Sequence, residues 1–159
     1  MGRLAFFGLS FLIAAPFLRG AEAACCHMEW LPYGPYCYKL FSDKVSWAEA
    51  EIACQYYFLG GHLASIHSTE QSAELAKYII KYRKDGSGVW IGLRDPLKNR
   101  QWQWMDRSSN SYKNWNAGEP NNQNNNENCV ELWADTGYMK WNDENCNFAR
   151  RSYLCQYKL

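Results

Sequence analysis

Seven cysteines constrain this chain more than any other feature, because disulfide bridges decide which distant segments can lie together. The cysteines stand at positions 25, 26, 37, 54, 129, 146 and 155. No Cys-x-x-Cys pair is followed by a second Cys or His pair, so the pattern disfavours a zinc site. An odd number leaves one cysteine outside any set of intrachain bridges, and the other six permit many pairings. Spacing alone therefore leaves the connectivity open.

The first residues of the chain have the pattern of a secretory signal peptide. A basic residue precedes the apolar run 4–18, and a small-x-small cleavage sequence follows at 21–23. A membrane anchor is the alternative, but Pro16 interrupts a run already shorter than the roughly 20 apolar residues that a span needs. We predict a signal peptide at residues 1–23 and one secreted, extracellular domain at residues 24–159, without membrane insertion. Disulfides are typical of that compartment.

The charge balance argues against two classes of partner. Lys and Arg number 17, Asp and Glu number 16, and the formal net charge is +1. A nearly neutral chain offers no electrostatic reason to expect nucleic acid or an anionic membrane as a partner.

Two amphipathic helices are predicted in the first half of the domain. Ser46 and Glu49 form a capping-box pair ahead of apolar residues that recur at helical spacing. Ser68 and Gln71 repeat this signature, and the second helix is predicted to end near residues 84–86. Short strands are predicted after it, at residues 89–93, 101–104, 130–133, 138–141 and 152–157. Helices followed by strands indicate an α+β domain.

A long polar loop separates the later strands. Between Asn110 and Asn128 the chain has nine asparagines and few apolar residues. A long irregular loop inside a compact domain is usually functional or disordered. The acidic residues set into this loop favour a function.

Side chains with oxygen atoms recur in a fixed order in and after this loop. The order is Glu119-Pro120-Asn121, Glu127, Cys129, then Trp141-Asn142-Asp143 and Cys146. Calcium takes about six to eight oxygen ligands, so three carboxylates and two amides suit it better than zinc or copper. A cis bond before Pro120 would turn Glu119 and Asn121 toward the same ion. Each residue alone is an ordinary turn former, and it is the whole ordered set that indicates a metal site.

The ordered set resembles the sugar-binding C-type lectin domain. Val89-Trp90-Ile91-Gly92-Leu93 is similar to the central strand of that family, and Gly61-His62-Leu63-Ala64-Ser65 to the segment before its second helix. The likeness covers residues 26–157 and is nearest to the small secreted lectins of snake-venom type, and next to pancreatic regenerating proteins. It implies the C-type lectin-like fold, with two helices, short antiparallel sheets and a long calcium-binding loop, stabilised by disulfides.

The resemblance also implies a disulfide pattern. Its three bridges are Cys26–Cys37, Cys54–Cys155 and Cys129–Cys146. Cys25 lies outside this pattern. It could be capped by a small thiol or exchange with Cys26 for Cys37, or it could form an interchain bridge and so a homodimer.

One calcium ion is implied by the same resemblance. Its ligands would be Glu119, Asn121, Glu127, Asn142 and Asp143. The first four would also bind the sugar, because each of two neighbouring hydroxyls can donate to a carboxylate and accept from an amide N–H. The Glu-Pro-Asn order resembles mannose-type members, whereas galactose-type members carry Gln-Pro-Asp. Members with a second calcium use positions that match Asp95, Asn99, Asn122 and Asn128. Only one of these four is a carboxylate, so we expect the second site to be empty or weak.

We therefore predict calcium-dependent binding of mannose-class carbohydrates on the glycans of cell surfaces or glycoproteins, with agglutination if the protein is oligomeric. The alternative is a lectin-like domain that binds a receptor or a haemostatic factor. Members of that kind typically lose calcium ligands, and this chain keeps all five. An enzyme is not expected, because His62 and His67 lack a nucleophile with a helper acid at recognisable spacing. Glu119 and Glu127 stand among amides at a metal loop, unlike a glycosidase acid pair.

Overall fold

The computed structural model describes residues 25–83, 85–148 and 150–159, and the predicted signal peptide at residues 1–23 lies outside them. The described residues form two α-helices and eight β-strands, with short 3-10 helices at Gln123–Asn125 and Ala134–Thr136. In chain order the elements are β1 Leu31–Tyr33, β2 Tyr36–Val45, α1 Trp47–Tyr57, β3 His62–Leu63, α2 Thr69–Tyr82, β4 Val89–Arg94, β5 Gln103–Trp104, β6 Cys129–Leu132, β7 Trp141–Glu144 and β8 Arg151–Lys158. Neither helix is long and apolar enough to cross a membrane, as far as the described residues go.

Each helix begins at the residue after its predicted N-cap serine. The Ser46 side chain accepts the Glu49 N–H and the Glu49 carboxylate accepts the Ser46 N–H, which completes the capping box of α1. Ser68 caps α2 through the N–H of Gln71. The Gln71 side chain does not close a second capping box, because it accepts the N–H of His67 and donates to Tyr38.

β8 connects the parts of the sheet, since it pairs with β2, β3 and β4. The path across the sheet is β1-β2-β8-β4-β6-β7, with β5 paired to β4. The pairing of β4 with β8 is parallel, and the other pairings are antiparallel. The predicted α+β class is confirmed, with this one parallel contact making the sheet mixed.

Alternation along β4 divides the core between the two faces of the sheet. Val89, Ile91 and Leu93 pack in the cluster that contains the buried face of α2. Trp90, between them, packs with the buried face of α1. Burial on both faces explains why this strand is apolar almost throughout. Because β6 pairs with β4 and β7 with β6, the core fixes the two strands that border the polar loop.

The described residues contain the three disulfides that the resemblance implies. One bridge joins the segment before β1 to β2, one joins α1 to β8, and one joins the start of β6 to the segment after β7. They are Cys26–Cys37, Cys54–Cys155 and Cys129–Cys146. This pairing confirms the expected pattern, and Cys25 is exposed on the surface.

Strands β1, β2 and β3 were not predicted, and the ends of β4, β5, β6 and β8 differ from the predicted ones by one or two residues. Two further boundaries differ for a physical reason. α2 ends at Tyr82, where the N–H of Arg83 donates to the carbonyl of Ile79, short of residues 84–86. β7 begins at Trp141 and not at residue 138. Gly137 and Tyr138 have φ values of 64° and 62°. Such left-handed residues cannot continue a strand, so the chain turns before β7 starts.

Candidate functional site

The polar loop is attached to β7 at its beginning and at its end. Near the beginning, the carbonyl of Asn114 accepts the N–H of Trp141 (3.0 Å), and the carbonyl of Trp141 accepts the N–H of Asn116 (2.9 Å). At the end, the disulfide between β6 and the segment after β7 holds the loop. β7 also carries Asn142 and Asp143. These attachments bring the loop against Asn142 and Asp143, the two candidate ligands that lie outside the loop in sequence.

Asp143 is the centre of the site. It is fully buried, at 0% exposure, and its carboxylate accepts the N–H groups of Asn121 (2.9 Å) and Asn122 (3.0 Å). The Glu119–Pro120 peptide bond is cis. The Glu119 carboxylate folds back on Asn121 and accepts its backbone N–H (3.1 Å) and its side-chain N–H (2.9 Å). The structure thus brings Glu119, Asn121 and Asp143 together.

Glu127 closes the same turn from its other end. Its carboxylate accepts the N–H of Gln123 (2.6 Å), and its own N–H donates to the side-chain oxygen of Asn122 (3.1 Å). Asn122, Asn124 and Asn125 have φ values between 51° and 55°. Asparagine enters this left-handed region more readily than most residues. The asparagine-rich stretch therefore supplies the tight turn that carries Glu127 back toward Asp143.

Asn142 is placed by a different set of contacts. Its side-chain N–H donates to the Glu131 carboxylate (3.1 Å), and it forms no hydrogen bond in the structure with Glu119, Asn121 or Asp143. Glu131 is 2% exposed and is paired with Arg151. Arg151 also donates to Glu144 (2.9 Å). Because Glu131 takes one N–H of the amide, the carbonyl oxygen of Asn142 keeps its capacity as an acceptor.

Negative charge is crowded at this loop. Burial raises the pKa of Glu119 above its ordinary value, and the neighbouring Asp143 raises it further. Burial raises the pKa of Glu127 to about 7; the hydrogen bond from Gln123 opposes this, and the charges of Asp143, Glu144 and Glu119 add to it. Carboxyl groups with raised pKa values are ones that a nearby cation would stabilise in the charged form.

The donor set fits a hard cation such as calcium. Throughout the described ranges, no three side chains drawn from His, Cys, Asp and Glu form a group that could hold a metal ion by themselves. A metal at this loop would therefore need the amide oxygens of Asn121 and Asn142 beside the carboxylates. Oxygen ligands of this mixed kind suit calcium and do not suit zinc or copper.

Sequence reasoning missed three charged residues that hold this site. Arg100 donates to the carboxylate of Asp143, while Glu131 and Arg151 form the ion pair behind Asn142. Glu131 could have been noticed, since a glutamate inside an apolar strand needs a partner. The sequence carries no local signal for Arg100 or Arg151, because neither lies near its partner along the chain.

A second polar cluster has a composition that suggests catalysis but an unsuitable arrangement. Ser65 lies 3.0 Å from the Nε2 atom of His67 and donates to Asp106 (2.6 Å). Gln156 also donates to Asp106 (2.8 Å). The carboxylate contacts the serine and not the histidine, so it cannot orient the imidazole as a base. Ser65 is 1% exposed, and the cluster is a buried structural network.

Comparison with known proteins agrees with the fold. The family model of the lectin C-type domain matches residues 43–157. The chain is 51% identical to a C-type lectin mannose-binding isoform of Oxyuranus scutellatus, over 98% of each chain. It is also 51% identical to the C-type lectin BfL-2 of Bungarus fasciatus, over 99% of each chain. These relatives confirm the resemblance to lectins of snake-venom type.

Among solved structures, human lithostathine superposes with a TM-score of 0.78 at 36% identity, covering 84% of this chain and 100% of that one. The family model spans most of the domain, and the two snake relatives match almost end to end. The chain therefore belongs to the C-type lectin domain family, whose members are binding proteins and not enzymes.

Proposed function

We propose that this protein binds mannose-class carbohydrates in a calcium-dependent manner, through one calcium ion at the polar loop. The proposed ligands are Glu119, Asn121, Glu127, Asn142 and Asp143. The observation that carries the proposal is the convergence of Glu119 and Asn121 on the buried Asp143, with Glu127 returning to the same turn. When bound, the ion would supply a positive centre at which two neighbouring sugar hydroxyls can complete the shell of oxygen ligands.

The exposure of the ligands supports a division of roles. Asp143 is fully buried, so it can hold an ion but cannot touch a sugar. Asn121 is exposed and Glu119 is partly exposed. These two side chains offer an amide donor and a carboxylate acceptor at the surface, the pair that a hydroxyl group requires. The mannose class is proposed from their Glu-Pro-Asn order and is consistent with the printed name of the relative from Oxyuranus scutellatus.

A single calcium is supported by the positions that would bind a second one. The two carboxylate oxygens of Asp95 accept the N–H groups of Asn99 (3.2 Å) and Arg100 (2.7 Å). The side-chain oxygens of Asn99 and Asn122 accept backbone N–H groups as well. Only Asp95 among the four positions is a carboxylate, so little negative charge is available to hold a second divalent ion.

We also propose that residues 1–23 are removed during secretion. Cys25 is either capped by a small thiol or exchanges with Cys26 for Cys37, or it bridges two copies of the domain. The snake-venom relatives support an extracellular setting, and Cys25 is exposed. Two linked sites would increase binding to a glycan-covered surface by roughly 10² to 10⁴ over one site.

Retention on a mannan resin tests the proposed function directly. The protein should be retained in calcium and eluted by a chelator. Glu127→Gln removes one charge with little change of shape, and we expect its calcium affinity to fall by at least about tenfold. Glu74→Gln is the matched control, since Glu74 is an exposed residue of α2 paired only with Lys77 in the structure.

Retention that survives the chelator would contradict the calcium mechanism. A protein that binds calcium but no mannan would contradict the sugar assignment and favour a lectin-like domain that binds proteins. Equal losses in Glu127→Gln and Glu74→Gln would contradict the assignment of Glu127 as a ligand.

A further inference from the structure

Arg100 contacts two parts of the candidate site directly. Its guanidinium donates to the backbone carbonyl of Glu127 (2.9 Å) and to the carboxylate of Asp143 (2.6 Å). It also lies over the ring of Trp102, 4.8 Å from the centroid. One planar group thus spans the end of the polar loop and the buried centre of the site. A guanidinium is suited to such a role because its donors are held in a rigid fork.

The backbone that presents Arg100 is itself fixed. Asp95 is 1% exposed, and its carboxylate accepts the N–H groups of both Asn99 and Arg100. The N–H of Asp95 donates to the carbonyl of Asn128 (2.9 Å). The turn after β4 is therefore tied to the residue next to Glu127, and it holds the guanidinium at a set position.

The contact between Arg100 and Asp143 offsets the negative charge that is crowded at the site. Asp143 is fully buried, and the carboxylates of Glu119 and Glu127 lie close enough to affect one another. Like charges at such distances repel and would push the loop open. In the structure the side chain that pairs with Asp143 as a cation is Arg100. A buried carboxylate without a paired cation is strongly unfavourable.

We propose that Arg100 is a positioning residue for the calcium site, the protein's own cation that keeps the loop assembled when calcium is absent. This inference rests on the proposed function. Arg100 holds Asp143 and the Glu127 carbonyl in place, so that an arriving ion meets ligands already in position. Its charge also repels calcium, but that charge is paired with Asp143 and one third of the side chain is exposed. Ordering of the loop is therefore the larger effect.

The test compares Arg100→Gln with Lys98→Gln. Lys98 is an exposed cation in the same turn, and both residues have a left-handed φ, 54° for Lys98 and 65° for Arg100. The two variants thus remove the same charge from the same kind of backbone. We expect Arg100→Gln to weaken calcium binding by about tenfold, as loss of an outer-shell partner does. Sugar affinity at saturating calcium should not change, because Arg100 does not contact the sugar in the proposed arrangement.

A second measurement uses the protein without calcium. The N–H groups of Asn121 and Asn122 donate to Asp143, so their hydrogen exchange reports whether the loop is assembled. In Arg100→Gln these two amides should exchange faster by a larger factor than the amides of the core strands, because the loss of the cation beside Asp143 lowers the stability of the whole domain but opens the loop further. Arg100→Lys should be intermediate, because an ammonium can pair with Asp143 but lacks the fork that reaches both acceptors. Methylguanidinium in solution should partly restore the slow exchange of these two amides in Arg100→Gln.

Three results would overturn the inference. One is unchanged calcium affinity and unchanged exchange in Arg100→Gln. Another is an equal effect in Lys98→Gln, which would make the effect one of net charge. The third is exchange that becomes faster by the same factor at Asn121, at Asn122 and throughout the core strands, which would make Arg100 a general structural residue. If the unmodified protein binds no calcium, the proposed function fails, and the exchange comparison still decides whether Arg100 holds the loop.

Discussion

Replacing Arg151 by methionine should destabilise the domain by an amount that depends on pH. Arg151 pairs with Glu131, which is 2% exposed on β6 and also accepts the side chain of Asn142. Burial raises the pKa of Glu131, and the contacts of Arg151 and Asn142 work against that rise. Without Arg151, the buried carboxylate loses its cation. Breaking a buried pair in this way costs about 3–5 kcal/mol.

Protonation sets an upper limit to this cost. The ordinary pKa of the glutamate side chain is 4.5, and keeping such a group neutral at pH 7 costs about 3.4 kcal/mol, at about 1.4 kcal/mol per pH unit. The folded variant can always adopt neutral Glu131, so the loss at pH 7 should be about 3 kcal/mol. Removing Arg151 removes contacts that oppose the effect of burial, so the pKa of Glu131 rises further in the folded variant, and the loss grows as pH rises from 4.5 and shrinks as pH falls. At pH 5.5 it should be about 1.4 kcal/mol.

Urea unfolding followed by tryptophan fluorescence, with the disulfides intact, measures this loss. Arg151→Met should be compared with the unmodified protein at pH 7 and pH 5.5, and again in a Glu131→Gln background. In that background the cost of Arg151→Met should fall below about 1 kcal/mol and lose most of its pH dependence, since Glu131 no longer carries a buried charge and the remaining partner, Glu144, is partly exposed. A loss that is the same at both pH values, or that persists with Glu131→Gln, would refute the reasoning. It would instead indicate lost packing of Arg151 on Phe148, whose ring centroid lies 4.5 Å away.

Three other predictions follow from the proposed function. Glu119→Gln with Asn121→Asp should shift the inhibition of glycan binding from mannose toward galactose, and unchanged inhibition by the two sugars would contradict the mannose assignment. Calcium affinity, measured by titration, should fall as pH is lowered from 7 to 5, because protons compete for Glu119 and for Glu127, whose pKa is raised to about 7; affinity that is flat over this range would exclude these carboxylates as ligands. A non-reducing gel distinguishes the two alternatives for Cys25: a dimer band that reduction and Cys25→Ser both convert to monomer indicates the interchain bridge, and a monomer band before reduction indicates capping or exchange with Cys26.

Local features of the sequence predicted local features of the fold. Ser46 and Glu49 located the start of α1, because a capping box involves only residues within one turn. The short strands at 89–93 and 130–133 were recognisable from their composition, since buried strands are apolar on both faces. The start of β7 was misplaced, because the left-handed conformation of Tyr138 depends on a turn that its residue type does not announce.

Residue order determined the candidate ligands, while tertiary structure decided what holds them. Glu119, Asn121 and Glu127 were identified from their spacing and from the family resemblance, which is a property of the chain itself. Arg100 reaches Asp143 across 43 positions, and Arg151 reaches Glu131 across 20. Such pairs form only after β4, β6, β7 and β8 have been aligned by the core. The sequence by itself therefore determined the fold class and indicated the candidate donors of the proposed site, whereas folding decided which cation neutralises each buried acid, because a buried charge is satisfied by its neighbours in space.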